Sequence, residues 1–373
     1  MNTIAYSELL KLDNYTLVDV RTPKEFESEP IPNAVNIPVL LNDERAIVGT
    51  AYVQQSKEIA KELGINFISK RLPEIFKQVQ GLSSKNKKMV FFCARGGMRS
   101  GTMCSLFQAL GYKCMKLEGG YKAYREFVYK SIPVLNEKFK YVIIHGRTGI
   151  GKTKILAKLH EMGYPVLNLE KIADHKGSHF GAIGEKRKQS QKRFETELYE
   201  FLVSNDKGYI LAESESKRIG NIYIPDSVYD SLVSGYHLIA ETTPEHRIEI
   251  LMEDYADAPE EALRECIMRI SRYTSKKNIE SYLELLENKK LPELAAELIK
   301  EYYDPLYQKS IDKYQFNHKI QYSTTDEGVE KVIEFLREKE FIWNKKWSWL
   351  KNWISFRNLE IRKIYVIDEA SKA

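Results

Sequence analysis

Two short stretches carry residue types spaced for chemistry. The first is FFCARGGMRSG (91–101), where Cys93 is followed by Arg95, Gly96, Gly97 and, six places beyond the thiol, Arg99. Glycines in a loop between a strand and a helix let several backbone N–H groups converge on one anion. A thiol at the mouth of such a loop, near a helix N-terminus and two arginines, is drawn toward its nucleophilic thiolate form. The spacing C-x5-R alone leaves three chemistries open: attack on a phosphate, carriage of sulfur or selenium, or a core thiol beside a glycine turn.

The second stretch, GRTGIGKT (146–153), fits the P-loop pattern G-x-x-x-x-G-K-[ST]. Its backbone, through Gly146, Thr148, Gly149 and Gly151, is expected to cradle a phosphate at the start of a helix. Lys152 would reach the outer phosphates, and Thr153 is placed to hold Mg²⁺. Chance supplies such a match in roughly one chain in a hundred. Here a β-rich run, YVIIHG (141–146), precedes it and an amphipathic stretch follows. The motif specifies phosphate, not nucleotide. No clear apolar strand ending in a Walker-B Asp stands out downstream, and the nearest candidate, GYILAESES (208–216), offers Glu213 or Glu215.

The elements that must position these loops are legible as alternating periods. TLVDV (16–20) and KKMVFFC (87–93) read as strands, and CMKLEGGYKAY (114–124) as a strand, a Gly-Gly turn and a helix. This β-loop-α rhythm predicts an α/β fold with a parallel sheet. SIPVLNEKFK (131–140) reads as a linker, after which the pattern restarts. The expected domains are therefore 1–134, with the cysteine, and 135–373, with the P-loop. Helical patterns at EEALRECIMRISRY (260–273) and ESYLELLENKKLPELAAELIKEYY (280–303) predict a helical extension of the second.

A chain of 373 residues is long enough for two cores, and 43% hydrophobic with 29% charged residues is ordinary for a folded protein. The net charge of +5 permits a polyanionic partner without requiring one. Four cysteines are too few for a disulfide framework and lack zinc-ligand spacing, so no metal site is expected from them. Cys104 and Cys266 sit in helical patterns and Cys114 opens a strand, which makes all three core residues. MNTIAYSELL has neither a basic n-region nor an apolar h-region, and no run approaches the ~18 apolar residues of a membrane span, so the expected location is the cytoplasm. The tail gathers Trp343, Trp347, Trp349 and Trp353 with Lys345, Lys346 and Lys351. It reads first as a helix docking its apolar side, with base stacking and membrane-surface binding as alternatives.

The flanks of the cysteine loop, VDVRTPKEFESEPIPNAVNIP (18–38) and LEGGYKAYREF (117–127), resemble those of the rhodanese family. In phosphatases sharing that fold the cysteine is typically preceded by His, whereas here it is preceded by Phe92. A rhodanese-like domain joined to a P-loop domain resembles the tRNA 2-selenouridine synthases. LLNDERAIVGTAYVQQSKEIAKELG (40–64), VLNLEKIADHKGSHFG (166–181), QSQKRFE (189–195), ESESKRIGNIYIP (213–225) and YYDPLY (302–307) extend the likeness over roughly residues 10–310. The resemblance implies a tRNA-modifying transferase that replaces the 2-thio group of the wobble uridine with selenium. It implies S-geranylation from geranyl diphosphate first, then displacement of the S-geranyl group with selenium from selenophosphate. Splitting one hard displacement into two easier ones is the logic of covalent catalysis.

Carried onto this sequence, Cys93 would present selenium as a cysteine-bound selenide, and Arg95, Gly96, Gly97 and Arg99 would hold the donor's phosphate. The P-loop is expected to bind the diphosphate of geranyl diphosphate. His175, Lys176 and Ser178, then Gln191, Lys192 and Arg193, then Glu213, Glu215 and Arg218 become candidates for contact with substrate or tRNA. A selenophosphate-supplying enzyme is an expected partner. Three positions depart from the family pattern: Ala94 where an aromatic residue is frequent, Asn168 where Asp is usual, and Lys176 where Arg is usual. The competing classes are a phosphohydrolase using C-x5-R, with a regulatory P-loop, and a bare persulfide carrier.

Overall fold

The computed structural model describes residues 2–82, 87–175 and 189–341. The tryptophan-rich tail, Lys176 and Ser178 lie outside the described residues. The chain divides between Ser131 and Ile132 into two compact units.

The N-terminal unit is built on five parallel strands: β1 (Thr3–Ile4), β2 (Tyr15–Asp19), β3 (Val35–Asn36), β4 (Lys88–Phe92) and β5 (Cys114–Leu117), in the order β1-β5-β4-β2-β3. Central parallel strands are covered on both faces and so read as continuous apolar runs, as TLV and MVFF do here. Val18, Met89 and Phe91 pack with Met103, Cys104 and Phe107 of the helix Met98–Ala109 and with Ile75 and Val79 of the long helix Lys57–Leu82. Asp19 is in register with Phe92. The chain therefore leaves β2 and β4 side by side, and Arg21 and Cys93 emerge at the same sheet edge.

The C-terminal unit has a second five-stranded parallel sheet: β6 (Lys140–His145), β7 (Val166–Leu167), β8 (Tyr209–Glu213), then, after the antiparallel pair β9 (Arg218–Ile219) and β10 (Ile222–Tyr223), β11 (Tyr236–Thr242) and β12 (His318–Tyr322). Its order is β12-β11-β6-β8-β7, with β6 at the centre. Val142, Ile144, Leu211, Leu238 and Ile320 bury against Ile155 and Leu159 of the helix Lys152–Glu161 and against Val332 and Leu336 of the helix Thr325–Glu338. A helical subregion has its own core, in which Cys266, Ile267, Tyr282, Leu286 and Leu298 meet.

One expectation is corrected. Residues 131–136 are not a linker: the helix Gly120–Asn136 runs through them with Pro133 inside. The missing amide costs one helical bond, and burial of Val128, Ile132 and Leu135 outweighs it. The run 280–303 is helical as expected, in more than one piece. It breaks after Glu287, turns through Lys289 at φ +56°, resumes at Leu291–Leu298 and passes through a π-helical turn, Ile299–Tyr303. Such turns re-aim side chains and recur at functional sites.

Candidate functional site

Cys93 follows β4 at the base of a loop closed by the helix Met98–Ala109. The Ser100 hydroxyl lies 3.3 Å from its sulfur and donates to it. Burial opposes the charged thiolate, yet the thiol is held below its ordinary value by the Ser100 hydroxyl, the N–H groups of Ser100 and Arg95, and the Arg99 charge. Cys93 is thus the one cysteine of the four held toward thiolate. Cys104, Cys114 and Cys266 lie in the core, as expected, and burial there raises Cys104 and Cys266 and pushes Cys114 up to about 12.

The loop's shape is fixed by the Gly-Gly turn after β5. Tyr121 N–H donates to Cys93 O at 2.9 Å and Lys122 N–H to Ala94 O at 3.0 Å. A Cβ on Gly120, at φ +60°, would lie 2.2 Å from Cys93 O and 2.4 Å from Gly96 N, so only glycine fits this approach. On the other side Arg21 is buried, binds Asp19 through three short contacts of 2.7–3.1 Å, and sits 4.0 Å from the centre of the Tyr121 ring. The conspicuous flanks VDVR and EGGY are therefore the two walls that hold the thiolate loop.

The predicted anion-holding residues separate into two groups. Gly96 and Gly97 lie in the loop, and Arg95 is exposed at its rim. Arg99 makes an ion pair with Glu25 at 2.8 Å. Glu25 also accepts from Thr22 N–H at 3.0 Å, in the capping box of the helix Pro23–Ser28. Arg99 is thereby held where its charge bears on the sulfur.

At the centre of the second sheet, the P-loop joins β6 to the helix Lys152–Glu161. Gly146 approaches β11 so closely that a Cβ would sit 2.7 Å from Ala240 O, and Gly149 and Gly151 take φ of +79° and +81°. Lys152 folds over the loop, its Nζ 3.0 Å from Gly146 O. Thr153 Oγ1 donates to Glu213 Oε1 at 2.7 Å. The acid that was faint in the sequence therefore stands at the end of the neighbouring strand, against the P-loop threonine. Glu215 is pushed up to about 8, by burial first and then by the charges of Glu170 and Glu213, against Lys152. Thr153 and Glu213 are hard oxygen donors of the kind Mg²⁺ takes beside a phosphate. Among the described residues no three His, Cys, Asp or Glu form a metal cluster on their own.

Sequence reasoning missed what braces this loop. Arg247, buried on the helix Pro244–Tyr255, donates from Nε to Thr148 O at 2.9 Å and grips Asp304 through both terminal nitrogens at 2.6 and 3.0 Å. Asp304 directly follows the π-helical turn, within the YYDPLY block. The same turn places Tyr303 along an apolar cleft, open to solvent, lined also by Thr148, Leu251, Met252, Leu294 and Leu298, with a cavity volume of about 70 Å³.

The remaining candidates group around the β9–β10 pair. His175 packs on its turn, since a Cβ on Gly220 would lie 2.6 Å from the imidazole. Gln191 bonds both the N–H and the C=O of Tyr223 at 2.8 Å, so its amide braces β10. Arg218 ties the turn through Gly220 O at 2.7 Å, and Arg193 pairs with Glu197 on its own helix at 2.9 Å. Lys192 is exposed. Asn168 caps the helix Leu169–Ala173 through Lys171 N–H at 2.8 Å. Among the described residues no helix is long and apolar enough to cross a membrane.

A rhodanese-like domain family matches residues 4–127, and the tRNA 2-selenouridine synthase AAA domain family matches residues 139–289. A Sulfurovum protein described as tRNA 2-selenouridine synthase is 31% identical over 333 residues, covering 81% of this chain and 90% of the relative. A Nitrosomonas europaea protein of the same description is 33% identical over 244 residues, covering 64% of this chain and 63% of its own length. The crystal structure of the N-terminal domain of a putative ATP/GTP binding protein from Clostridium difficile 630 is 43% identical, covers 34% of this chain and 98% of its own, and has a TM-score of 0.33. With a thiolate loop and a braced P-loop each lying in the domain so matched, the chain belongs to the tRNA 2-selenouridine synthase family.

Proposed function

We propose that the protein converts 2-thiouridine at the wobble position of tRNA to 2-selenouridine in two steps, through an S-geranyl-2-thiouridine intermediate. The P-loop unit performs the first. The thiocarbonyl sulfur attacks C1 of geranyl diphosphate, a C–S bond forms, the C–O bond breaks, diphosphate leaves, and the N3 proton of the base passes to solvent. The loop N–H groups and Lys152 hold the diphosphate, and Thr153 with Glu213 would hold an Mg²⁺ that offsets its charge. The Cys93 unit performs the second step, acting on selenophosphate so that selenium displaces the S-geranyl group. tRNA binding is assigned to exposed basic residues, Lys192 and Arg218 among them.

The single observation that carries the geranyl step is the cleft at Thr148. A phosphate-binding loop opening directly onto leucines, a methionine and a tyrosine suits a ligand with an anionic head and an apolar tail. A nucleoside in its place would leave its polar base edges unpaired.

The test is to incubate the protein with 2-thiouridine tRNA, geranyl diphosphate and selenophosphate and to analyse the nucleosides by mass. S-geranyl-2-thiouridine followed by 2-selenouridine is expected. Neither product from folded protein would reject the proposal.

A further inference from the structure

We propose that Cys93 attacks the phosphorus of selenophosphate, forming a cysteinyl phosphate and releasing selenide as the nucleophile, in place of carrying selenium on its own sulfur. This deepens the proposed function and rests on it for the identity of the donor.

Three observations point to phosphorus. The loop offers donors to an oxyanion: the N–H groups of Gly96, Gly97, Met98 and Arg99 make no backbone hydrogen bond among the described residues, and Arg99, held by Glu25, brings its charge to bear on the sulfur. That arrangement steadies phosphoryl oxygens in front of the thiolate.

The second observation concerns the other thiols. A selenium atom carried on sulfur ends, after delivery, as a base–Se–S–Cys93 linkage that a second thiol must cleave. Cys104, Cys114 and Cys266 are 0%, 4% and 2% exposed and pack into hydrophobic cores. Cys266 belongs to the other unit altogether. None is presented as a resolving thiol.

Third, the neighbouring carboxyls suit this leaving group and not an alkoxide. Asp19, which burial pushes upward, is fully buried with both carboxylate oxygens taken up by Arg21, and Glu25 is bound by Arg99, which helps hold it ionised despite burial. Neither is placed as a proton donor. Selenide is a weak base and leaves phosphorus without one, whereas an alcohol leaving a phosphate ester needs it.

The steps balance without oxidant or reductant. Cys93 thiolate forms an S–P bond, the P–Se bond breaks, and HSe⁻ departs with the bonding pair. HSe⁻ adds to C2 of the S-geranyl base, the C2–S bond breaks, geranylthiolate leaves, and the proton passes from selenium to N3. Water then cleaves the S–P bond, giving orthophosphate and restoring the thiol. Forming an S–Se bond from thiolate and selenophosphate would instead reduce phosphorus to phosphite or demand an outside oxidant.

The experiment uses selenophosphate labelled in phosphorus with S-geranyl-2-thiouridine tRNA, quenched rapidly, followed by mapping of the Cys93 peptide. A parallel reaction without tRNA measures exchange of labelled selenide into selenophosphate. Phosphorus on Cys93 or Cys93-dependent exchange is expected, each lost in Cys93→Ser, with orthophosphate as the phosphorus product. Selenium on Cys93 without phosphorus, phosphite formed one for one with selenouridine, or selenouridine formed with neither signature overturns the phosphorus route alone. A phosphorus signature without selenouridine keeps this step and rejects the selenation. No signature and no selenouridine reject both.

Discussion

The Ser100 hydroxyl donates to the Cys93 sulfur at 3.3 Å, across one turn of loop and helix. It is the foremost of the contacts that hold this thiol below its ordinary value despite burial. Ser100→Ala should raise the Cys93 pKa and slow its alkylation at neutral pH by about tenfold, the worth of one charge-assisted hydrogen bond of ~1.5 kcal/mol. The acid limb of the selenation rate should move to higher pH by the same cause. An unchanged pH profile of alkylation would remove Ser100 from the account.

Glu25 tests the electrostatic wall. Burial works against its charge, but Arg99 and Thr22 N–H together hold its pKa below the usual carboxylate value. A carboxylate with a depressed folded pKa contributes stability that is present above its unfolded pKa and lost as pH falls through the folded one. Glu25→Gln should therefore cost about 1 kcal/mol at neutral pH and progressively less below the ordinary carboxylate range. Urea unfolding at several pH values reads this directly, and a pH-independent difference would contradict it.

Gly120→Ala places a methyl group 2.2 Å from Cys93 O in a left-handed backbone. Something must shift, and the nearest atoms are backbone. We expect about 2 kcal/mol or more of destabilisation and a disordered thiolate loop, seen as lost selectivity of alkylation for Cys93. Wild-type Cys93 reactivity in this variant would mean that the Gly-Gly turn does not shape the loop.

Ala295 lines the apolar cleft in the same unit as the P-loop. Ala295→Phe should fill it and raise the KM for geranyl diphosphate by about tenfold or more, since each buried methylene of the tail is worth roughly 0.8 kcal/mol. Selenation of tRNA already geranylated should be unaffected. Equal losses in both assays would argue against the cleft as the tail's site.

Both loops were legible in the sequence because each is a local pattern in which glycines and a functional residue lie within eight to ten places. That the strands around them form parallel sheets followed from continuous apolar runs and β-loop-α alternation, while their order within each sheet did not. What holds the loops in place was not legible. Arg247 reaches Thr148 and Asp304 across 99 and 57 positions, Glu25 meets Arg99 across 74, and Thr153 meets Glu213 across 60. Pairs so distant leave no periodic trace. The helix through Pro133 was missed for a related reason: the proline and polar neighbours argue locally for a break, and the burial of Ile132 and Leu135 that overrides them is tertiary. Gln191 shows the converse, a polar side chain in a basic stretch that turns out to brace a strand.

The central claim is a division of labour between two sites, and one paired measurement tests it most directly. Cys93→Ser and Lys152→Ala proteins are each given 2-thiouridine tRNA and, separately, S-geranyl-2-thiouridine tRNA, with both donors present, and the nucleosides are quantified by mass. Cys93→Ser should accumulate S-geranyl-2-thiouridine and form no 2-selenouridine from either tRNA. Lys152→Ala should fail on the thiolated tRNA yet selenate the geranylated one at close to the wild-type rate. Loss of both steps in either folded variant, or selenation by Cys93→Ser, would contradict the account.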